Sequence, residues 1–160
     1  DSLADALAFE IRSKNLSKNR KDCEQVIFFA ATLGTGADYL IQKYNRIRMS
    51  KAVVMQAAAA AMIEAQCDRV CLDLKTEYEQ KGRYLRPRFS PGYGDFPLES
   101  QQKILDCLEA GKRIGIKLTD SLLMMPSKSV TAVIGVSPKA YRCDVRGCEV
   151  CPKTDCLYRR

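Results

Sequence analysis

The sequence predicts a single α+β domain, and three observations favour this class. At 160 residues, the chain has the length of one domain and can bury about two thirds of the surface that it exposes when unfolded. Hydrophobic residues make up 46% and charged residues 28%, as in an ordinary globular protein. Apolar runs typical of strands stand near both ends of the chain with helical patterns between them, which differs from the regular βαβ alternation of a doubly wound fold.

The spacing of apolar residues predicts helices over residues 2–12, from 37 onward, over 50–80 and over 98–110. Ser50 is placed to cap the third helix and Gly82 to end it, while Gly111 ends the fourth. The third helix is long, and one of its faces is expected to be apolar and to pack on the core. That face comprises Val53, Val54, Ala57, Ala58, Ala61, Met62 and Ala65.

Three apolar runs predict strands. The run "VIFFAATL" (26–33) is rich in β-branched and aromatic residues and stops at "GTG", as a buried strand does. Ile114, Ile116 and Leu118 alternate with polar or small residues, which indicates a strand with one buried face. A third strand is expected over "SVTAVIGVS" (129–137). Because a short loop joins the last two strands, we expect them to pair in antiparallel fashion.

Charge and composition exclude several kinds of function. The net charge of +7 suits a nucleic acid, an anionic cofactor or an acidic protein partner. The densest basic stretch, 14–21, lacks interleaved aromatics and is predicted to be a solvated connection, so we expect no nucleic-acid partner. The chain contains no histidine, and therefore no Ser-His or Cys-His nucleophilic pair and no imidazole metal ligand. This argues against a hydrolase.

Two further absences bear on location. The longest apolar runs, 26–33 and 57–63, are too short to span a bilayer, so no membrane contact is expected. The first residues, "DSLADALAFE", lack the basic and apolar regions of a signal peptide, and the missing initiator Met suggests a cropped chain. We therefore predict a cytoplasmic protein.

The stretch "RFSPGYGDFP" (88–97) is too rigid for a linker and too irregular for a helix or strand. Pro87 and Pro91 restrict the backbone on either side of Arg88, and glycines flank Tyr93. One interpretation is a structured connection between two helices. The other is a binding loop, in which the planar guanidinium of Arg88 suits a carboxylate and the ring of Tyr93 suits a flat group or a cation.

Two blocks of the sequence resemble one known family. "RFSPGY" (88–93) and "IGIKLTDSLLMMPSKSVTAVIG" (114–135) are similar to the R-x-x-P-G-Y and L-T-E-S-x-x-M-x-P-x-x-S-V-S-G blocks of the activation domain of cobalamin-dependent methionine synthase. The similarity covers about residues 50–137, with Asp120 in place of the family's Glu. It implies a twisted antiparallel sheet with flanking helices, which we assign to residues 1–140.

The resemblance also implies a function, namely S-adenosylmethionine binding at this loop. Arg88 would bind the ligand carboxylate, Tyr93 would lie near the sulfonium, and Glu64 of the long helix would make a further contact. The loop backbone around the ligand would be that of Ser90, Pro91 and Gly92. In this family the ligand methylates a cobalamin that has been oxidised to the inactive cob(II) state, with an electron from a flavodoxin-like donor.

The family's cobalamin module carries a D-x-H-x-x-G motif, and this chain has no histidine. The resemblance therefore implies that a partner chain holds the cobalamin and that the present chain is its activator. Methyltransferase activity is expected only together with that partner. The surface around the loop should then be the docking face, with Tyr93 and Phe96 poorly covered.

The last residues, 141–160, form a cysteine-rich tail outside the resemblance. Its cysteines are spaced C-x4-C-x2-C-x4-C, a pattern that suits zinc or an iron–sulfur cluster, with free or disulfide-forming thiols as the alternative. These ligands are Cys143, Cys148, Cys151 and Cys156. The alternative function is thus an iron–sulfur or redox protein that works through its tail. The remaining four cysteines are expected to be small core residues.

Overall fold

A computed structural model of the chain describes residues 13–20 and 22–140. The helices are α1 (Lys14–Asn19), α2 (Thr35–Ile47), α3 (Met49–Gln80), α4 (Ser100–Cys107) and α5 (Ala110–Arg113). The strands are β1 (Gln25–Thr32), β2 (Tyr84–Leu85), β3 (Lys117–Leu118), β4 (Met124–Met125) and β5 (Ser129–Ser137). Helices combined with antiparallel strands confirm the predicted α+β class. The helix predicted over 2–12 lies outside the described residues.

The main sheet has the strand order β1–β5–β2, and both neighbours of β5 run antiparallel to it. The whole of β1 pairs with β5, from Gln25 opposite Val136 to Thr32 opposite Ser129. The strands predicted over 26–33 and 129–137 are therefore confirmed. β5 is the central strand, and because both faces of the sheet are covered, every residue from Thr131 to Ser137 is buried.

The pairing predicted between the two late strands is wrong. Lys117–Leu118 pairs with Met124–Met125 in a separate two-stranded sheet, rather than with β5. The reversal occurs at Thr119, whose carbonyl oxygen accepts from Leu122 N (2.9 Å) and whose hydroxyl accepts from Leu123 N (3.1 Å). A turn this tight returns the chain to β3 before it reaches the main sheet.

The two faces of the main sheet contact different parts of the chain. On one face, Phe29, Ala132 and Ile134 pack against Ile63 and Cys67 of α3. On the other face, Val133 packs with residues from α1, the 88–97 loop and α4, namely Leu16, Phe96 and Ile104. The loop thus contributes to the core as well as to the surface.

The long helix exists as predicted, but its buried face is a different one. The buried residues of α3 are Ala52, Ala59, Ile63 and Cys67. The predicted apolar face points to solvent instead. Val54 is 68% and Met62 is 61% exposed. The remaining residues of that face are exposed as well, namely Val53, Ala57, Ala58, Ala61 and Ala65. Both sides of this segment are apolar, so hydrophobic periodicity could not identify the side that meets the sheet.

Helix ends also differ from the predictions. The N-cap of α3 is Arg48 in an extended conformation, and Ser50 lies inside the helix. The helix predicted over 98–110 is divided at Glu109, whose φ of 49° breaks the helical geometry, and Gly111 lies within α5. The stretch predicted to be a solvated connection forms α1. Among the helices of residues 13–20 and 22–140, none is both long and apolar enough to cross a membrane.

Candidate functional site

A cleft of about 1010 Å³ lies between α3 and the segment 84–93. Its lining includes four residues that the sequence predicted for the site, Glu64, Arg88, Ser90 and Tyr93. Pro91 and Gly92 lie outside the lining. Among the lining residues that were not predicted are two ionisable ones next to Arg88, Asp68 and Cys71. The structure therefore brings the loop and the long helix together, as the resemblance implied.

The segment 84–89 runs antiparallel to β5 with one extra residue. Leu85 pairs with Val136, and Phe89 makes an isolated bridge to Val133. Between these two pairs the segment advances by four residues, from 85 to 89, whereas β5 advances by only three, from 136 to 133. Such a β-bulge reverses the alternation of side chains beyond it.

The bulge decides where Arg88 points. Leu85 packs on the α3 side of the sheet, and without the extra residue Phe89 would lie on the same side. Phe89 instead packs on the opposite side and stacks on Phe96, with ring centroids 6.0 Å apart. Its neighbour Arg88 consequently faces α3. Pro87 lies within the bulge, where its missing N–H costs no ladder hydrogen bond.

Arg88 binds two carboxylates of α3. Its Nη2 donates to Asp68 Oδ1 at 2.6 Å and lies 3.3 Å from Glu64 Oε2. The Arg88 side chain is 19% exposed, whereas those of Glu64 and Asp68 are 61% and 72% exposed. The guanidinium is thus held within the cleft by two groups that remain open to solvent. Both contacts use Nη2, and Nε and Nη1 provide further donors.

The spacing of the helix residues explains this arrangement. Glu64, Asp68 and Cys71 follow one another at four and three residues, which places them on one face of α3. Because Asp68 has no motif around it, sequence reasoning missed it, although its spacing from Glu64 was a usable signal.

Burial and charge act in opposite directions on the ionisable groups of the cleft. Burial raises the pKa values of the Cys67 and Cys71 thiols above 9.0, and the nearby Arg88 charge opposes that rise. Burial alone would lower the pKa of Arg88, but the neighbouring Cys67, Cys71, Asp68 and Glu64 together raise it. At neutral pH the site therefore holds a charged guanidinium beside two neutral thiols.

The loop after Arg88 is ordered by its own backbone. Gly92 (φ 88°) and Gly94 (φ 58°) adopt left-handed conformations that favour glycine. Gly92 N donates to Phe96 O at 2.9 Å, and Phe96 N donates to Tyr93 O at 3.0 Å. The turn leaves Tyr93 69% exposed while Phe96 is buried, at 1%. The expectation that both rings are poorly covered is thus wrong for Phe96, which is a core residue.

Hydrogen bonds to Asp95 link the loop to the start of α1. Its carboxylate accepts from Ser13 Oγ (2.6 Å), Lys14 N (2.6 Å) and Asn15 N (3.1 Å), so it serves the free N–H groups at the start of that helix. The Ser13 hydrogen bond is the main cause that holds the pKa of Asp95 below 3.8. The side chain of Ser13 also accepts from Leu16 N at 2.9 Å. The loop and α1 therefore support each other.

The second sequence block plays a structural part. Thr119 and Ser121 are hydrogen-bonded to each other across the β3–β4 turn, at 3.0 Å. Ser129 Oγ donates to Pro126 O at 2.6 Å, and Ser127 N donates to a carboxylate oxygen of α2 at 2.7 Å. Thr119, Asp120 and Ser121 lie outside the cleft lining, so the shortened carboxylate at Asp120 does not alter it.

The four predicted metal ligands, Cys143, Cys148, Cys151 and Cys156, lie outside the described residues. Within residues 13–20 and 22–140, no three Cys, Asp or Glu side chains are grouped so as to hold a metal ion. No two cysteines of this part are joined by a disulfide: Cys67 is fully buried, and Cys23, Cys71 and Cys107 are half-buried.

Comparison with known proteins agrees with this architecture. One solved structure, the crystal structure of the MetH reactivation domain bound to AdoHcy, superposes with a TM-score of 0.61 at 23% sequence identity. The match covers 72% of the present chain and 40% of that one, so the present chain spans about two fifths of its length. A family profile, "Vitamin B12 dependent methionine synthase, activation domain", matches residues 13–150. The chain therefore belongs to the activation domain family of vitamin B12 dependent methionine synthase.

Proposed function

We propose that this chain binds S-adenosylmethionine in the cleft and supports the reductive methylation of a cobalamin held by another protein. The observation that carries the proposal is the cluster of Arg88 with Glu64 and Asp68, beside the exposed ring of Tyr93. This cluster combines a cation, two anions and an aromatic face in one cleft. Family membership and the AdoHcy-bound neighbour support the choice of ligand.

The charges of the cleft complement those of the amino-acid end of the ligand. The α-carboxylate accepts a hydrogen bond from Nη1 of Arg88, while Asp68 and Glu64 continue to hold Nη2. The ligand ammonium then lies between its own carboxylate and the two helix carboxylates. Asp68 is therefore a binding residue that we add to those predicted from the sequence.

Tyr93 and the loop backbone bind the other end of the ligand. The Tyr93 ring offers its face to the positive sulfonium. Ser90 lines the cleft and provides backbone groups for the adenosine. Pro91 and Gly92 set the shape of the loop without contributing to the cleft lining. Because the loop is already ordered by its turn and by Asp95, little conformational entropy is lost when the ligand binds.

The partner in this reaction supplies the cobalamin. The D-x-H-x-x-G histidine of a cobalamin module has to come from outside these 160 residues, and we place it on a separate chain. In the overall reaction, one electron from a flavodoxin-like donor reduces cob(II)alamin, the S–CH₃ bond breaks, a Co–CH₃ bond forms and S-adenosylhomocysteine leaves. Tyr93, at 69% exposure, lies where the partner must approach.

Two experiments test the proposal. Calorimetry of the full chain with S-adenosylmethionine should give a saturable signal, and S-adenosylhomocysteine should compete with it. The chain should then convert a cob(II)alamin-loaded methyltransferase to its methylated spectrum in the presence of a one-electron reductant. Tyr93→Ala should slow this conversion more than it weakens binding. Absence of binding in calorimetry would refute the proposed site.

For the tail we retain the proposal of a separate metal-binding segment, residues 141–160. Elemental analysis of anaerobically purified protein distinguishes the alternatives. Iron with visible absorbance indicates a cluster, and stoichiometric zinc in a colourless protein indicates a structural site. Cys148→Ser should lower the metal content, whereas Cys107→Ser, in α4, should leave it unchanged. Metal-free wild-type protein would contradict the proposal.

A further inference from the structure

Part of α3 is apolar on all sides, yet residues 13–20 and 22–140 cover only one side of it. Residues 52–63 contain Gln56 as their single polar side chain. Of these twelve residues, Ala52, Ala59 and Ile63 are buried and the others are exposed or half-buried. A helix that is apolar all round is normally buried, so a second covering surface is expected here.

The uncovered side forms a continuous face, which we call the outward face. It consists of Val54, Ala58, Ala61, Met62 and Ala65, all of them exposed. Their spacing places them within a sector of about 100° on the side of α3 opposite Ile63. Val54 and Met62 are large side chains with 68% and 61% exposure. The outward face is thus suited to packing against another helix.

Charges at the two ends of the outward face have opposite signs. Arg48 and Lys51 precede it, and Glu64 and Asp68 lie at its other end. The interval from 39 to 63 contains no acidic residue at all. Along α3 the order is therefore positive, apolar, negative.

We propose that the outward face binds a second copy of this chain, with the two α3 helices antiparallel and a two-fold axis at Ala58. Residues equally distant from Ala58 then lie opposite each other. Val54 meets Met62 of the other copy, so apolar side chains cover one another. Lys51 meets Ala65, one residue from Glu64, so the basic end of each helix lies beside the acidic end of the other. The same contacts occur twice, as a two-fold interface requires.

Charge complementarity favours this occupant over the alternatives. A parallel pair would place the basic ends of both helices side by side and repel. An anionic membrane would attract the basic end but would bring Glu64 and Asp68 toward its own negative surface. An antiparallel copy satisfies the apolar part and both charged ends at once. Glu64 and Asp68 also hold Arg88 in the cleft, whereas Val54, Ala58 and Met62, which make the apolar contacts of the dimer, lie outside the cleft lining.

Sedimentation velocity of the full chain tests the proposal. One helix pair buries a small area, so a dissociation constant on the order of micromolar is expected and concentrations up to about 200 µM are needed. The wild type should shift from a 17.9 kDa monomer to a species of twice that mass. Ala58→Glu should weaken the dimer by about 100-fold or more, because two like charges meet at the axis. Ala60→Glu is the matched control, since residue 60 is exposed and points about 160° away from the outward-face residue 58.

A second variant tests the register. Lys51→Glu should weaken the dimer about tenfold at low salt and less at high salt, because a charge pair near the surface is screened. A wild type that stays monomeric throughout, or a dimer that Ala58→Glu leaves intact, overturns the proposal. Binding of monomeric protein to anionic vesicles, lost in Ala58→Glu, would also overturn it and assign the face to a lipid surface.

Discussion

Replacement of Arg88 by lysine separates the geometry of the site from its charge. Lysine keeps the positive charge next to Glu64 and Asp68 but replaces a planar fork by a single ammonium. In the structure one guanidinium nitrogen, Nη2, is already engaged by the two carboxylates, at 3.3 and 2.6 Å. A ligand carboxylate therefore needs a second guanidinium nitrogen, Nη1, which lysine lacks. Arg88→Lys should bind S-adenosylmethionine more weakly.

The expected size follows from the bonds that are lost. One hydrogen bond to a charged group contributes about 1.5 to 3 kcal/mol, which corresponds to roughly 10- to 150-fold in the dissociation constant. Folding stability should change much less. Glu64 and Asp68 are 61% and 72% exposed, so solvent screens their pairing with Arg88 and its loss costs at most about 1 kcal/mol.

Isothermal titration calorimetry measures the binding, and chemical denaturation measures the stability of the same samples. Arg83→Lys is the matched control, since Arg83 pairs with Glu24 outside the cleft lining. It should bind the ligand as the wild type does. A dissociation constant for Arg88→Lys within about threefold of the wild type would refute the Nη1 contact with the ligand carboxylate.

Three further outcomes are expected. Gly135→Ala should lower the free energy of unfolding by about 1 to 3 kcal/mol, because the added Cβ would lie 2.6 Å from Cys23 Sγ. Gly36→Ala, which has open space around it, should leave the free energy of unfolding unchanged, and equal effects of the two substitutions in chemical denaturation would contradict this packing. S-adenosylmethionine should protect Cys71 from alkylation. Without ligand, the alkylation rate of Cys71 should continue to rise with pH beyond 9.0, because burial raises the pKa of this thiol. An alkylation rate that saturating ligand leaves unchanged would place the ligand elsewhere. Asp95→Asn should lower the thermal midpoint at neutral pH. Because the pKa of Asp95 is held below 3.8 in the folded state, the difference from the wild type should vanish as the pH falls through that lower pKa. A difference that does not depend on pH would contradict this.

Some features were determined by local sequence alone. β1 and β5 were predictable because long runs of β-branched and aromatic residues bounded by turn residues have few other ways to be buried. The length of α3 followed from uninterrupted helical composition up to Gly82. The 88–93 loop was identifiable because prolines and glycines restrict the backbone whatever surrounds it, and its motif indicated the family that the profile match then established.

Other features depended on contacts between distant parts of the chain. The buried side of α3 was decided by the sheet, since its sequence is apolar on both sides and only packing distinguishes Ile63 from Met62. Arg88 faces the helix because the pairing of 84–89 with β5 has one extra residue, and a register is a property of two segments together. The same register explains why Asp68 belongs to the site. Its carboxylate lies 2.6 Å from Arg88 only because the pairing of 84–89 with β5 turns Arg88 toward α3. Sequence thus determined the elements and the loop, whereas tertiary packing decided which of their faces meet.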